Sequence, residues 1–486
     1  MHIIQIATEL APIAKVGGLA DVLFGLSKEL KRQGHTVEIL LPKYDCIQYG
    51  QLANLKVEQR EVWSYEGPNR YPQTIWSAEV DHLRILLLEP HHPKYYFSRG
   101  MIYGCADDID RFTYFCRASL EYLYKTGKHP DCIHIHDWPT SLIALLYKEM
   151  YASLGLKVGR IVLTIHNLEH QGKCTPSQLT KMGLRGDDYL TPEKLQDPHQ
   201  GDTINLLKGG IEYADFITTV SPNYEREIKT IDGGCGLHAV LMQKSKKLKG
   251  ILNGIDETYW NPETDPHLIA HYKLKNSSIL KAKEENKQNL RRHFGLKEGN
   301  FPLVASVTRL VLQKGPELII HAIFRTLEKK GQFILVGAAL DVEMERIFKQ
   351  LKEKLRDNSN VAIHLDYDEA IAHLTFAGSD LFLIPSLFEP CGLTQMIALR
   401  YGSVPIARMT GGLVDTVFDI QTAKIPEEKR NGFTFDFPDK EGINWALDRA
   451  IACWMEDKKR WQKIVLQGMS YDFSWKKPAQ EYLSIY

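Results

Sequence analysis

Short apolar runs alternate with longer amphipathic stretches along almost the whole chain, and this alternation constrains the fold more than any other feature. Ile3–Thr8, Val37–Leu41, Leu83–Leu88, Cys132–His136, Ile161–His166 and Ile217–Val220 read as buried strands in the first half. The pattern restarts at Pro302–Val307 and runs on through Phe333–Val336, Val361–His364, Leu381–Pro385 and Val404–Ala407. Helical patterns such as Ile109–Lys125 and Thr140–Leu154 lie between strands. Strands that are apolar throughout need cover on both faces, and crossover helices supply it. The expectation is an α/β chain of two doubly wound, Rossmann-like domains. A polar stretch near 263–300, with the mixed-charge segment Lys281–Arg292, separates the two runs. Two such domains facing each other form a deep interdomain cleft, and ligands of these sheets bind at the strands' C-terminal ends.

The 486 residues suffice for such a pair. Sixty basic residues balance sixty acidic ones, so no global field favours nucleic acid or an anionic membrane. The basic run Lys244, Lys246, Lys247 and Lys249 is expected to be a solvated face near a domain junction. No apolar stretch approaches the ~18 residues of a membrane span, and the N-terminus opens on a strand rather than a secretory signal. Eight cysteines are scattered with no C-x-x-C pair. A reduced, cytoplasmic protein without zinc is expected.

Residues 15–22, Lys-Val-Gly-Gly-Leu-Ala-Asp-Val, join the first strand to a helix that carries Leu19, Val22, Leu23, Leu26 and Leu30 on one face and stops at Gly34. Glycines let the backbone approach a ligand, and the helix N-terminus and Lys15 favour an anion, naturally a phosphate. In the second half, the strand ending at Val307 leads to Arg309 and Lys314, then Gly315-Pro316 and a helix. Two cations on one strand–helix loop either grip a pyrophosphate or are merely solvated. Glu389, in Ser386-Leu-Phe-Glu-Pro-Cys-Gly-Leu-Thr394, either caps the next helix or holds sugar hydroxyls. Thr410-Gly-Gly-Leu413 is a second Gly-Gly helix opening, and two such openings in series strengthen the anion reading. His134 and His136 share a strand face, but a metal there lacks a third ligand at suitable spacing. Asp108-Ile-Asp110 reads as a helix N-terminus, His91-His92 as loop surface, and Asn253-Gly-Ile-Asp256 as a turn or a polar hinge.

Together these clusters resemble the bacterial glycogen/starch synthases, retaining glycosyltransferases of family 5. The resemblance rests on Lys15-Val-Gly-Gly-Leu-Ala-Asp, Ile-His136-Asp-Trp, Thr164-Ile-His-Asn, Leu206-Leu-Lys-Gly-Gly, Thr218-Thr-Val-Ser-Pro, Gly250-Ile-Leu-Asn-Gly-Ile-Asp, Arg309-Leu with Gln313-Lys-Gly, and Phe388-Glu-Pro-Cys-Gly-Leu-Thr-Gln. It spans essentially the whole chain. It implies the two-domain GT-B fold, with residues 1–250 as the acceptor-side domain and 251–468 as the nucleotide-sugar domain. Residues 469–486, from Phe473-Ser-Trp475 onward, would be a helix crossing back to the first domain.

The resemblance further implies an ADP-glucose donor, a glycogen or α-1,4-glucan acceptor, retention of configuration, and no cofactor or metal. Lys15, Gly17 and Gly18 would meet the diphosphate, and Arg309 and Lys314 would hold it and stabilise the departing nucleotide. Glu389 with Cys391, Gly392 and Leu393 would bind glucose hydroxyls. Asp137, His166 and Asn253 would line the glucose and acceptor side. No carboxylate pair of the retaining-glycosidase kind presents itself, so a same-face displacement is implied. The loops Leu168–Gly172 and Gly234–His238 depart from the usual family pattern, which bears on acceptor geometry. A nicotinamide dehydrogenase lacks its G-x-G-x-x-G here, and a phosphorylase its Schiff-base lysine. A silent glucan-binding protein, or a same-fold transferase using UDP-glucose or another acceptor, is the remaining alternative.

Overall fold

A computed structural model describes residues 1–274, 278–339, 341–366 and 368–486. Two compact units carry the sheets: Met1–Gly254 together with Trp475–Tyr486, and Ile255–Ser474.

The first unit contains β1 (His2–Ile6), β2 (Thr36–Pro42), β3 (Ala53–Glu66), β4 (Asn69–Val80), β5 (Leu83–Pro90), β6 (Cys132–His136), β7 (Arg160–Ile165), a two-stranded ladder of β8 (Lys173–Cys174) and β9 (Ile204–Asn205), then β10 (Phe216–Thr219) and β11 (Leu248–Gly250). Nine of these form one sheet in the order β11-β10-β7-β6-β1-β2-β5-β4-β3. Every pairing from β11 to β5 is parallel, and β5, β4 and β3 are antiparallel. The long β3–β4 hairpin is absent from the sequence expectation. Its outer strand is largely exposed and rich in Lys, Glu, Gln and Arg, so it carries no apolar run.

The helix Gly18–Arg32 lays Leu19, Val22, Leu23, Leu26 and Leu30 against the sheet. Such side chains each stabilise the fold by roughly 1.5–3 kcal/mol when fully buried. Gly25 faces Trp475, and Trp475, Ala479, Tyr482 and Ile485 join Ile3, Val22, Leu26, Val162 and Ile251 in one apolar core. The last twelve residues are thus part of the first unit.

The second unit contains β12 (Leu303–Val307), β13 (Gln332–Val336), β14 (Val361–His364), β15 (Leu381–Ile384), β16 (Val404–Arg408) and β17 (Phe433–Phe435). They form an all-parallel sheet in the order β14-β13-β12-β15-β16-β17. Numbered within the unit this is 3-2-1-4-5-6, whose topological switch point lies between β12 and β15. In the first unit the order reverses about β1, with β6 on one side and β2 on the other.

Three surface readings are corrected. The polar stretch near 263–300 is no spacer, because Ile279–Phe294 is a helix whose buried side carries Ala282, Lys283, Lys287, Leu290 and Arg291. The Lys283 amine donates to the carbonyls of Ala377 and Tyr401 at 2.8 and 2.9 Å, while burial pulls it down to about 7. In the basic run Lys246 is exposed as expected, but the other three lysines are partnered rather than merely solvated. Lys244 pairs with Glu212 at 2.6 Å, Lys249 with Glu481 at 3.0 Å, and Lys247 donates to the Ala214 carbonyl at 2.8 Å. His92 is buried, not loop surface: it stacks on Tyr96 at 4.2 Å and pairs with Glu66 at 2.9 Å. Asp108 and Asp110 do open a helix, accepting from Gly104 N–H at 2.9 Å and pairing with Lys181 at 2.8 Å respectively.

Candidate active site

At the switch point of the second unit, the loops after β12 and β15 close on each other. Leu387 N–H donates to the Gln313 carbonyl at 2.7 Å, and Gln313 Nε2 donates to the Phe388 carbonyl at 3.2 Å. These bonds carry Lys314 to Glu389, with Nζ 2.5 Å from Oε2. The Ser386 hydroxyl donates to the same oxygen at 2.9 Å. Glu389 is buried and Lys314 nearly so, which raises the worth of this charge-assisted contact over an exposed pair. One ammonium proton is committed to Glu389, so two remain to face an anion. Arg309 is exposed on the same loop and pairs with no carboxylate among the described residues.

The turn after β16 fixes this loop from the other side. Gly411 takes φ +47°, and a Cβ there would lie 1.8 Å from the Glu389 carbonyl oxygen. Gly412 N–H donates to the Glu389 carbonyl at 3.0 Å, and a Cβ on Gly412 would meet the Cys391 carbonyl at 2.2 Å. The second Gly-Gly opening therefore locks the Glu389 loop, and the Gly412 amide is already used. Gly392 takes φ +73°, and Gln395 Nε2 donates back to the Cys391 and Gly392 carbonyls at 3.1 and 2.9 Å. Arg408 donates to the Leu387 carbonyl. Cys391 is buried, and Leu393 precedes the helix Thr394–Arg400.

In the first unit, the ends of three adjacent strands carry Glu9 after β1, Asp137 after β6 and His166 after β7, and Asn253 follows β11, beyond β10. Glu9 was not foreseen. Its Oε2 accepts the N–H groups of Val16 and Gly17 at 2.7 and 2.8 Å, and its Oε1 accepts the Tyr103 hydroxyl at 2.9 Å. Burial nonetheless pushes this carboxyl up from its ordinary range. The glycine loop thus receives a carboxylate of the chain itself at two of its amides, while Lys15 donates to Asp21 at 2.7 Å. A glutamate eight residues upstream of paired glycines was the available signal.

Asp137 takes φ +54° and its Oδ1 accepts the His166 and Asn167 N–H groups at 2.7 and 3.3 Å. Burial, against those two bonds, pushes its carboxyl up to about 7. His166 Nε2 lies 3.0 Å from His136 Nδ1, and His136 Nε2 lies 2.9 Å from Gln5 Oε1. With Gln5 accepting, His136 carries its proton on Nε2, so His166 donates from Nε2 and keeps a lone pair on Nδ1. Burial holds His166 down at about 3, and His134 and His136 well below the usual range, so all three are neutral at pH 7. His134 bonds Thr164 and Tyr486 at 2.6 and 2.7 Å. Asn253 is 4% exposed, and its Oδ1 has no hydrogen-bond partner, an unusual state for a buried amide oxygen.

The structure thus brings Lys314, Glu389, Cys391, Gly392 and Leu393 together in one unit. It groups Asp137 with His166 in the other, where Lys15, Gly17 and Gly18 form a separate loop anchored on Glu9.

Both units match known families. Residues 2–243 match the starch synthase catalytic domain, and residues 286–465 match the glycosyl transferases group 1 family. The chain is 49% identical over 493 residues to a glycogen synthase of Protochlamydia amoebophila, covering all of this chain and 99% of that protein. It is also 49% identical to a probable starch synthase 4 of Arabidopsis thaliana, covering all of this chain but 47% of that longer protein. The solved catalytic domain of Arabidopsis starch synthase IV, bound to ADP and acarbose, superimposes with a TM-score of 0.96 at 48% identity over 100% of this chain and 98% of that one. The sucrose-phosphate synthase of Thermosynechococcus elongatus shares only the fold, with a TM-score of 0.61 at 18% identity over 100% of this chain and 98% of that one.

Proposed function

The chain belongs to the glycogen and starch synthase family of glycosyltransferases, and on that premise we propose how its residues divide the reaction. The enzyme transfers glucose from ADP-glucose to the non-reducing end of an α-1,4-glucan with retention, and it releases ADP. The observation that carries the reading is the Lys314–Glu389 pair at the switch point of the second sheet, with Arg309 exposed beside it.

As the glucosyl–oxygen bond breaks, negative charge grows on the departing diphosphate. The two unused ammonium protons of Lys314 answer that charge from a position fixed by Glu389, and the guanidinium fork of Arg309 joins them from the exposed part of the loop. Glu389 holds Lys314 in place and accepts from glucose hydroxyls, with the Cys391–Leu393 backbone beside it. The Gly17 amide is spent on Glu9, so Lys15 and Gly18 are the parts of this loop left to bind donor phosphate, and for this Lys15 exchanges Asp21 for phosphate oxygens. His166, neutral, offers its Nδ1 lone pair to a sugar hydroxyl. Asn253 offers its orphaned carbonyl oxygen in the same way, and Asp137 orients the His166–Asn167 backbone. The departing phosphate takes the acceptor's proton, because Glu389 contacts no second carboxylate among the described residues.

Purified protein, treated with chelator, incubated with radiolabelled ADP-glucose and glycogen tests this reading. Label enters the polymer. UDP-glucose in parallel assigns the donor, and failure of both nucleotide sugars to label the glucan defeats the proposal.

A further inference from the structure

A buried histidine with no part in this transfer lies on the helix Glu369–Gly378, between β14 and β15. His373 is 1% exposed, and its Nδ1 lies 2.6 Å from Asp265 Oδ2. That oxygen also accepts the Tyr401 hydroxyl at 2.5 Å, and Asp265 Oδ1 accepts the His267 N–H at 2.9 Å. Both oxygens of the Asp265 carboxylate thus accept. An ionised carboxylate only accepts, so the proton of His373 sits on Nδ1 and Nε2 carries a lone pair. That Nε2 is fully buried and has no hydrogen-bond partner. Trp260 stacks on the ring at 4.1 Å and Tyr259 meets it edge-on at 5.0 Å, so aromatic surface surrounds the imidazole without supplying a conventional donor. A buried lone pair left unanswered needs an explanation.

The neighbours supply one. His267, half-buried, and Glu369, exposed, each bring a donor atom into a group with His373 in which all donors lie within 4.8 Å of one another. The Tyr259 hydroxyl donates to Glu369 Oε1, which leaves Oε2. Two imidazoles and a carboxylate are the donor set of a zinc-class ion, whereas calcium and magnesium take oxygen. An outer carboxylate that holds Nδ1–H of a metal-binding histidine is the usual support for such a ligand, and Asp265 occupies that place. We propose that His373, His267 and Glu369 bind one divalent transition-metal ion of the zinc class. The ion joins the segment around Trp260–His267 to the helix Glu369–Gly378 within the second unit. Tetrahedral zinc brings its donors to roughly 3.3 Å, given bonds of about 2.0–2.1 Å. The solvent-facing His267 and Glu369 side chains rotate inward to close that gap, and water takes the fourth position. The ion takes no step in glucosyl transfer.

The test uses the full chain, stripped with chelator and desalted, beside His267→Ala and Glu369→Gln, both of which lie outside the core. Zinc is titrated calorimetrically, and cobalt is added to read its ligand-field spectrum. The wild type is expected to bind one more equivalent of zinc than His267→Ala and to give tetrahedral cobalt bands that this variant lacks. Glu369→Gln weakens binding by about 10-fold or more, in line with loss of a ligand. Zinc at a hundredfold excess over Kd raises the melting temperature of the wild type by about 5 °C and leaves His267→Ala unmoved. Activity without metal is the same in wild type and His267→Ala. Superimposable zinc isotherms for the two proteins, or a wild type without tetrahedral cobalt bands, overturn the assignment, whatever the transfer assay shows.

Discussion

Replacing Asp137 by Asn isolates the cost of a carboxyl partly withdrawn from water. The substitution keeps the local geometry, since Asn adopts the left-handed backbone as readily as Asp and its amide oxygen accepts the same His166 and Asn167 N–H groups. Burial raises the carboxyl from an ordinary 3.8 to about 7. Between those values the folded chain keeps a proton that the unfolded chain has released, so stability falls as pH rises through that window and is lowest above pH 7. At about 1.4 kcal/mol per unit over roughly three units, the penalty is about 4 kcal/mol for a fully dry site. The side chain is only half-buried, and solvent screening reduces this to about 2 kcal/mol. About two thirds of it falls between pH 5 and 8, which is roughly 3–5 °C in melting temperature for a unit of this size. The assay is differential scanning calorimetry of both proteins at half-unit steps from pH 5 to 8. Glu9 titrates in the same direction in both proteins, so only its coulombic coupling to Asp137 enters the difference. Asp137→Asn should gain on the wild type by that amount as pH rises. A difference that stays constant with pH refutes a raised carboxyl at Asp137.

Other substitutions test the packing and the site. Gly25→Ala places a Cβ 2.0 Å from Trp475 Nε1, so overpacking of about 1–3 kcal/mol outweighs the better helix propensity. Its melting temperature should fall, and proteolysis of the last twelve residues should quicken, with Trp475→Phe in the same chain restoring part of the loss. His166→Ala should lower kcat by about 100-fold while leaving the shape of the pH–rate profile between pH 5 and 9 unchanged, because burial keeps this imidazole neutral there. Loss of an inflection near pH 6.5 in the variant would show instead that His166 titrates in the wild type. Gly411→Ala must displace the Glu389 backbone, and a shift near 1 Å is expected to cost about 100-fold in kcat/KM. Full activity in that variant would detach Glu389 from the reaction.

The parallel strands of both sheets were legible because they are apolar on both faces, which leaves a continuous run in the sequence. The β3–β4 hairpin was not, because Lys56, Glu58, Gln59, Arg60 and Glu61 sit on an exposed outer strand and give no such run. Lys314 and Glu389 were legible singly, as charges on strand–helix loops. Their direct contact was not, because the two residues are 75 apart in sequence and meet only where β12 and β15 lie side by side. The His136–His166 contact was hidden for the same reason, since only the β6–β7 register sets the two imidazoles side by side. Glu9 was passed over as loop, and the glycine amides it fills were read as open to an anion. Polarity alone also misjudged 263–300, because a helix that buries the long stems of Lys283, Lys287 and Arg291 looks like a solvated stretch in sequence.

The central claim is that fixed cations of the second unit, Lys314 foremost, stabilise the nucleotide that leaves glucose. Single-turnover transfer of radiolabelled glucose from ADP-glucose to glycogen, by wild type and Lys314→Ala at saturating donor and with matched melting curves, tests it most directly. The expected result is a rate lower by about 100-fold or more in a protein that melts within a few degrees of the wild type. A folded Lys314→Ala enzyme that transfers glucose at the wild-type rate contradicts the claim.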